Sequence, residues 1–277
     1  MEIKKFVIVG GNSGVGKAFA PLVLDSNLEH ELMITTRSLS PVSEVSAKKS
    51  SGKMMYYAPF DPLDHESLLK FRKAVGNFAG DDRYAVVMSI GYFSEHKLGI
   101  HHDLKENQDI LNANYVAPAN IMHVLIPHML QHNGGHFIAF SCQSTQRHDP
   151  FMGAFTAAKS ALESLIQTGA NEYGGSDKSV LFNALRVASI NTEFTVSSKP
   201  NGDIENYITT EELSDIVMET IKSKQSENRN GDIMNAFKYS KTFFTDGSLT
   251  RIKNENNESD IMAWKNDTIA KGYYPEL

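Results

Sequence analysis

Short apolar runs separated by longer stretches of helical periodicity recur along the chain, and this alternation constrains its fold more than any other feature. The β-rich runs are Lys5–Val9, Glu31–Thr35, Lys53–Ala58, Tyr84–Ser89, His136–Ser141, Val180–Val187 and Asp232–Phe237. Helical patterns lie between them near Val15–Asp25, Asp64–Phe78, Leu104–Gln131, Phe151–Tyr173 and Thr210–Ser223. Runs that are apolar almost throughout, rather than alternating, belong to strands covered on both faces. The intervening helices supply the crossovers that parallel strands require. The expectation is a doubly wound parallel α/β sheet of about seven strands, sandwiched between two helical layers. One domain spans 1–237. Residues 238–277 form an extension beyond the last strand.

The first run passes into VGGNSGVGKAFA. Gly10, Gly14 and Gly16 follow the strand and open a helix. Glycine permits the tight turn and lets the backbone approach a pyrophosphate, whose charge the helix N-terminal N–H groups receive. Asn12, Ser13 and Val15 lie in the same loop and complete the candidate phosphate cradle. Gly11 to Lys17 also begins a phosphate-loop ATPase pattern, but Ala18 stands where the magnesium-binding Ser or Thr is required. That reading is rejected. The second strand ends in ITTRS, with neutral Thr36 followed by Arg37 and Ser38. An acidic residue here would hold the ribose hydroxyls of NAD. An arginine suits a 2′-phosphate, so the expected cofactor is NADP(H).

Several functions are excluded by composition. A net charge of −6 without a basic block argues against nucleic acid or an anionic membrane surface as partner. The longest apolar runs are far too short to span a bilayer, and MEIKKFVIVGG has too short an apolar run for a signal peptide. Cys142 is the single cysteine, so no internal disulfide forms, and a cytoplasmic location is expected. The histidines His96, His101, His102 and His148 fall in loops, and none has metal-ligand spacing with a third ligand; no metal is expected.

With these motifs in order, the chain resembles the short-chain dehydrogenase/reductase family, a Rossmann-like fold, over most of residues 4–237. Gly10, Gly14 and Gly16 match that family's GxxxGxG. Asp61, in FDPLDHESL, matches the aspartate that touches adenine, while Asp64 reads as a helix cap. Ser89-Ile-Gly91 stands where Asn-Ala-Gly is usual. Asn114, in ANYVAPAN, matches the asparagine of the proton relay, and Lys159 the active-site lysine that also binds the nicotinamide ribose. Ile190 and Thr192 match residues that clasp the carboxamide. The resemblance also implies that the helices near Leu104–Gln131 and Phe151–Tyr173 dock against a second subunit. The small residues Ala154, Ala157, Ala158 and Ala161 suit close approach, and a homodimer or homotetramer is expected. Phe243, Phe244, Trp264, Tyr273 and Tyr274 give the extension aromatic surface to pack on its own domain or on a neighbour.

Departures from the family pattern cluster at the chemistry. Phe155 stands at the tyrosine position, four residues before Lys159 and on the same helical face. Cys142 stands at the serine position, with Ser141 and Ser144 as neighbouring hydroxyls. Val187-Ala188 replaces Pro-Gly, and Met152 excludes a tyrosine seven residues before the lysine. Cofactor positions are largely kept while proton-transfer positions are lost. A positioned general acid contributes about 10²–10⁴-fold to rate, so an ordinary ketone should turn over slowly, whereas an iminium, quinone or conjugated enone needs less help. Cys142 reads as a small buried residue, and His148 is the histidine best placed to replace the lost acid. Three readings stay open: an NADP(H)-dependent oxidoreductase of an activated small molecule, a cofactor-binding sensor or scaffold without turnover, and a non-redox cyclase, lyase or isomerase on the same fold.

Overall fold

The computed structural model describes residues 2–11, 14–25, 30–37, 53–57, 59–94, 103–175, 180–198, 204–222 and 230–236. Asn12, Ser13, Ser38, His96, His101, His102 and the extension 238–277 lie outside them. Among the described residues seven parallel strands form one sheet: β1 (Lys5–Val9), β2 (Glu31–Thr35), β3 (Lys53–Tyr57), β4 (Tyr84–Met88), β5 (Gly135–Cys142), β6 (Val180–Val187) and β7 (Ile233–Ala236). Their order is β3-β2-β1-β4-β5-β6-β7. This is the expected doubly wound arrangement, with Phe6 beside Leu32 on one side and Ala85 on the other.

Helices α1 (Gly14–Asp25), α2 (His65–Ala79), α4 (Ala117–Gln131), α6 (Gly153–Tyr173) and α8 (Thr210–Lys222) cover the sheet. Two apolar cores result. Phe71, Val75, Leu125, Met129, Ile166 and Phe182 share the one under α2, α4 and α6. Phe19, Val23, Leu213 and Val217 share the one under α1 and α8. Each fully buried Leu or Phe contributes about 1.5–3 kcal/mol relative to exposure, so both faces drive closure. Asp64 caps α2 as expected, its Oδ1 accepting from the Ser67 N–H at 2.7 Å. On α6, Ala158 packs inside its own domain, Ala157 is exposed, and Ala154 and Ala161 are half-buried.

The long helix expected over Leu104–Gln131 is interrupted. It consists of α3 (Leu104–Leu111), a π-helical turn at Asn112–Val116, and then α4. The N–H of Ala117 reaches back five residues to Asn112 O, the mark of the wider turn. A short α5 (Ser144–Arg147) and a further α7 (Glu193–Ser198) were not anticipated from periodicity, being too short to show it. Between α5 and α6, His148 and Phe151 adopt left-handed φ values of 54° and 65°.

Candidate active site at the carboxyl edge of the sheet

Strand order reverses between β1 and β4, and a crevice opens at their carboxyl ends, where ligands bind in sheets of this type. Gly10 leaves β1 with φ of 89°, and a Cβ there would lie 2.9 Å from Ser89 O of the neighbouring strand end. At Gly16 a Cβ would lie 2.5 Å from Gly10 O. The sequence therefore needs glycine at both positions for the first turn of α1 to start against the strand. Gly14 has positive φ, and Val15 is buried beneath it. A cavity of about 570 Å³ adjoins this loop, lined among others by Gly10, Thr36, Arg37, Asp61, Ser89 and Gly91. Thr36 is buried and Arg37 exposed. Asp61 holds its own loop, Oδ1 accepting from the Leu63 N–H at 2.8 Å. Of the cofactor positions named from sequence, Gly10, Arg37, Asp61, Ser89 and Gly91 line this cavity, whereas Gly14, Val15, Gly16, Lys159, Ile190 and Thr192 are not part of its lining. Thr192 sits across the helix start, its Cγ2 3.9 Å from where a Gly14 Cβ would be, and its Oγ1 engages Thr195 Oγ1 at 3.0 Å. Ile190 bridges to Ile208.

Deeper in the crevice, Gly91, Asn114 and Lys159 converge. The π-helical turn holds Asn114 fully buried, and its side-chain amide donates to Tyr92 O at 2.6 Å and Ile110 O at 2.9 Å. Its Oδ1 has no hydrogen-bond partner among the described residues. A Cβ on residue 91 would come within 2.9 Å of that oxygen and 3.7 Å of Lys159 Nζ. Lys159 Nζ donates to Phe140 O at 2.8 Å from a buried position. Burial pushes its pKa down to about 8, opposed by the proximity of Cys142. At neutral pH the ammonium still predominates.

Phe155 lies one turn before the lysine, with Nζ 5.6 Å from its ring centroid. Phe93, from the loop after β4, meets the Phe155 ring edge-to-face at 5.2 Å. Both rings are half-buried. Cys142 is also half-buried rather than buried as expected, and its Sγ accepts from the Ser144 N–H at 3.5 Å. Ser144 is fully buried, its Oγ without a partner among the described residues. Ser141 is committed elsewhere: its hydroxyl donates to Glu163 Oε1 at 2.5 Å. His148 is exposed at the end of α5.

Periodicity did not single out Glu163, Arg186, Thr145 or Phe93. The Glu163 carboxylate is buried and accepts from Arg186 Nε at 2.8 Å and Nη2 at 2.7 Å, and from Thr145 Oγ1 at 2.9 Å. A glutamate on the apolar stripe of α6, next to Leu162 and ahead of Ile166, was the available signal. Among the described residues no group of three His, Cys, Asp or Glu side chains is arranged to hold a metal ion, and no helix is long and apolar enough to cross a membrane.

Comparison with known proteins agrees with this fold. The sequence profile of the short chain dehydrogenase family matches residues 4–202. An uncharacterized oxidoreductase of Mycobacterium tuberculosis is 26% identical over 168 residues, 58% of this chain and 48% of its own length. Human inactive hydroxysteroid dehydrogenase-like protein 1 is 25% identical over 205 residues, 69% of this chain and 57% of its own. The chain spans about half the length of the curated relatives it matches. Among solved structures, a short-chain dehydrogenase/reductase from Mycobacterium ulcerans superposes with a TM-score of 0.75 at 18% identity, over 85% of this chain and 90% of the other. A tyrosine-to-phenylalanine variant of ElxO with NADPH bound gives 0.71 at 18% identity, over 85% and 97%.

Proposed function

Because the chain belongs to the short-chain dehydrogenase family, we propose that it is an NADP(H)-binding oxidoreductase that acts on an activated small molecule without a tyrosine proton donor. The observation that carries this reading is the Phe155 ring against the Lys159 ammonium, close to Gly91, which lines a cavity shared with Gly10, Arg37 and Asp61. Phe155 takes the tyrosine position and Cys142 the serine position.

The residues present fit the cofactor. Only glycine can stand at position 91 without a Cβ crowding Asn114 Oδ1, and that oxygen is a buried acceptor awaiting a donor. The loop carrying Gly10, Gly14 and Gly16 would hold the pyrophosphate, Arg37 the 2′-phosphate and Asp61 the adenine side. Ser89, Ile190 and Thr192 would border the nicotinamide half. When bound, the cofactor supplies a transfer of two electrons and one hydrogen. Lys159 would orient the ribose and set a positive potential at the reacting end. Asn114 is pinned by two hydrogen bonds and keeps one oxygen free for a water or ligand donor. Phe155 excludes water but offers no proton. The substrate must therefore be one whose reduction does not demand a positioned acid.

Supporting cofactor retention, the ElxO variant bears a tyrosine-to-phenylalanine exchange and is a structure with NADPH bound. A second reading rests on the same ring: binding without turnover, as the name of the inactive human relative suggests for that protein. Calorimetric titration tests the cofactor assignment. A charge-assisted phosphate contact contributes about 1.5–3 kcal/mol, so NADPH should bind at least about tenfold tighter than NADH, and Arg37→Ala should erase the difference. Equal affinities in the wild type would overturn the NADP(H) assignment. Tight NADPH binding with no turnover of any activated acceptor would favour the second reading.

A further inference from the structure

We infer that the substrate is a neutral, planar, conjugated carbonyl compound of the quinone or enone class, held against the Phe93–Phe155 pair with its oxygen toward Lys159. This inference rests on the oxidoreductase reading above and narrows it.

Two features of the crevice select the acceptor. The first is charge. Lys159 Nζ is buried, is anchored to Phe140 O, and stands 3.7 Å from the point a Cβ on residue 91 would occupy. A fixed cation in a poorly solvated crevice repels a cationic acceptor such as an iminium ion and attracts negative charge that develops on oxygen. The second is shape. Phe93 and Phe155 meet edge-to-face at 5.2 Å, and both are half-buried. Flat aromatic surface receives another π-system by stacking or edge contact, with about 0.5–1.5 kcal/mol per pair. A saturated ketone gains little from it.

The chemistry closes without an acid. A conjugated carbonyl compound would accept a hydride from NADPH at the far end of its conjugated system, the β-carbon of an enone or the remote oxygen of a quinone, and NADP⁺ would leave. The displaced π pair comes to rest on the carbonyl oxygen as a delocalised oxyanion beside the Lys159 ammonium. One proton, taken from water after release, completes the product. In a saturated ketone the same pair would be localised on an alkoxide, a far stronger base, which is where the missing phenol is felt.

Duroquinone is a suitable probe, because its ring carries no open position to which Cys142 could add. The purified protein with saturating NADPH should reduce duroquinone with kcat/KM at least about a hundredfold above that for cyclohexanone. Calorimetric binding of duroquinone to the NADP⁺-loaded protein gives a readout independent of turnover. Phe93→Ala should weaken that binding about three- to tenfold while leaving NADPH affinity unchanged. Failure to bind NADPH would sink the oxidoreductase reading itself. Normal NADPH binding with equal rates for the two carbonyl compounds would overturn only the substrate class, as would duroquinone affinity unaffected by Phe93→Ala.

Discussion

Breaking the Glu163–Arg186 pair should destabilise the protein as much as a large apolar truncation in the core does. The two side chains are only 9% and 17% exposed. Glu163 accepts four hydrogen bonds, from Ser141, Thr145 and both the Nε and Nη2 of Arg186. Glu163→Leu leaves a guanidinium in a largely desolvated position, with Thr145 Oγ1 at 3.0 Å as a neutral acceptor. An uncompensated buried charge costs about 3–5 kcal/mol, a large part of the roughly 5–15 kcal/mol that holds a domain together. Removing both charges avoids most of that cost. Glu163→Leu with Arg186→Met leaves Ser141 Oγ without its acceptor, for about 1–3 kcal/mol. The double variant should therefore be more stable than Glu163→Leu alone, with a coupling of about 2 kcal/mol or more. Urea unfolding followed by far-ultraviolet circular dichroism measures all three. Additive losses in the double variant would refute the reasoning, since the pair would then not act as a unit.

Two further outcomes are expected. Phe155→Tyr with Cys142→Ser should raise NADPH-dependent reduction of simple ketones by about an order of magnitude or more; no gain despite intact NADPH binding would count against the assigned positions of both residues. Stability should also fall as the solution is acidified. His136 is fully buried and hydrogen-bonded to Asn183 Oδ1 at 2.8 Å, and burial pushes its pKa down to about 4. The unfolded chain takes up the proton near 6.5 while the folded one resists it. The contribution is therefore complete above pH 6.5 and is lost toward pH 4, on the order of 3 kcal/mol. His136→Gln should flatten the unfolding midpoint over that window; identical slopes for the two proteins would refute the attribution.

Much of the frame was legible because it rests on burial. Strands such as Tyr84–Met88 are buried at every position, so composition alone marks them, and the order of strands and helices then admits few topologies. The glycine loop was legible for a similar reason, since positive φ and close approach leave few alternatives to glycine. Where hydrogen-bond geometry decided, the sequence was silent. Nothing in ILNANYVAPAN distinguishes a π-helical turn from an α-helical one. Apolar patterning ends β5 at Ser141, one residue short of Cys142, and carries no sign that Ser141 turns toward Glu163. Arg186 reads as an ordinary polar interruption of an apolar strand, because its partner lies on α6, 23 residues earlier.

The wide turn at Asn112–Val116 makes the site depend on chain length as well as on residue identity. Each residue of a helix turns its successors by about 100°. In a regular helix the N–H of Ala117 would bond Ala113 O; here it reaches Asn112 O, one residue further back. One residue too many has thus been absorbed locally, and the core face of α4 stays in phase with the sheet. Deleting a single residue within this turn would restore a regular helix and keep every apolar side chain present. It would also rotate either Asn114 or the whole buried row from Ile121 to Met129 out of place. Relatives that share the residues but not the count would carry a differently built crevice behind a nearly identical spelling.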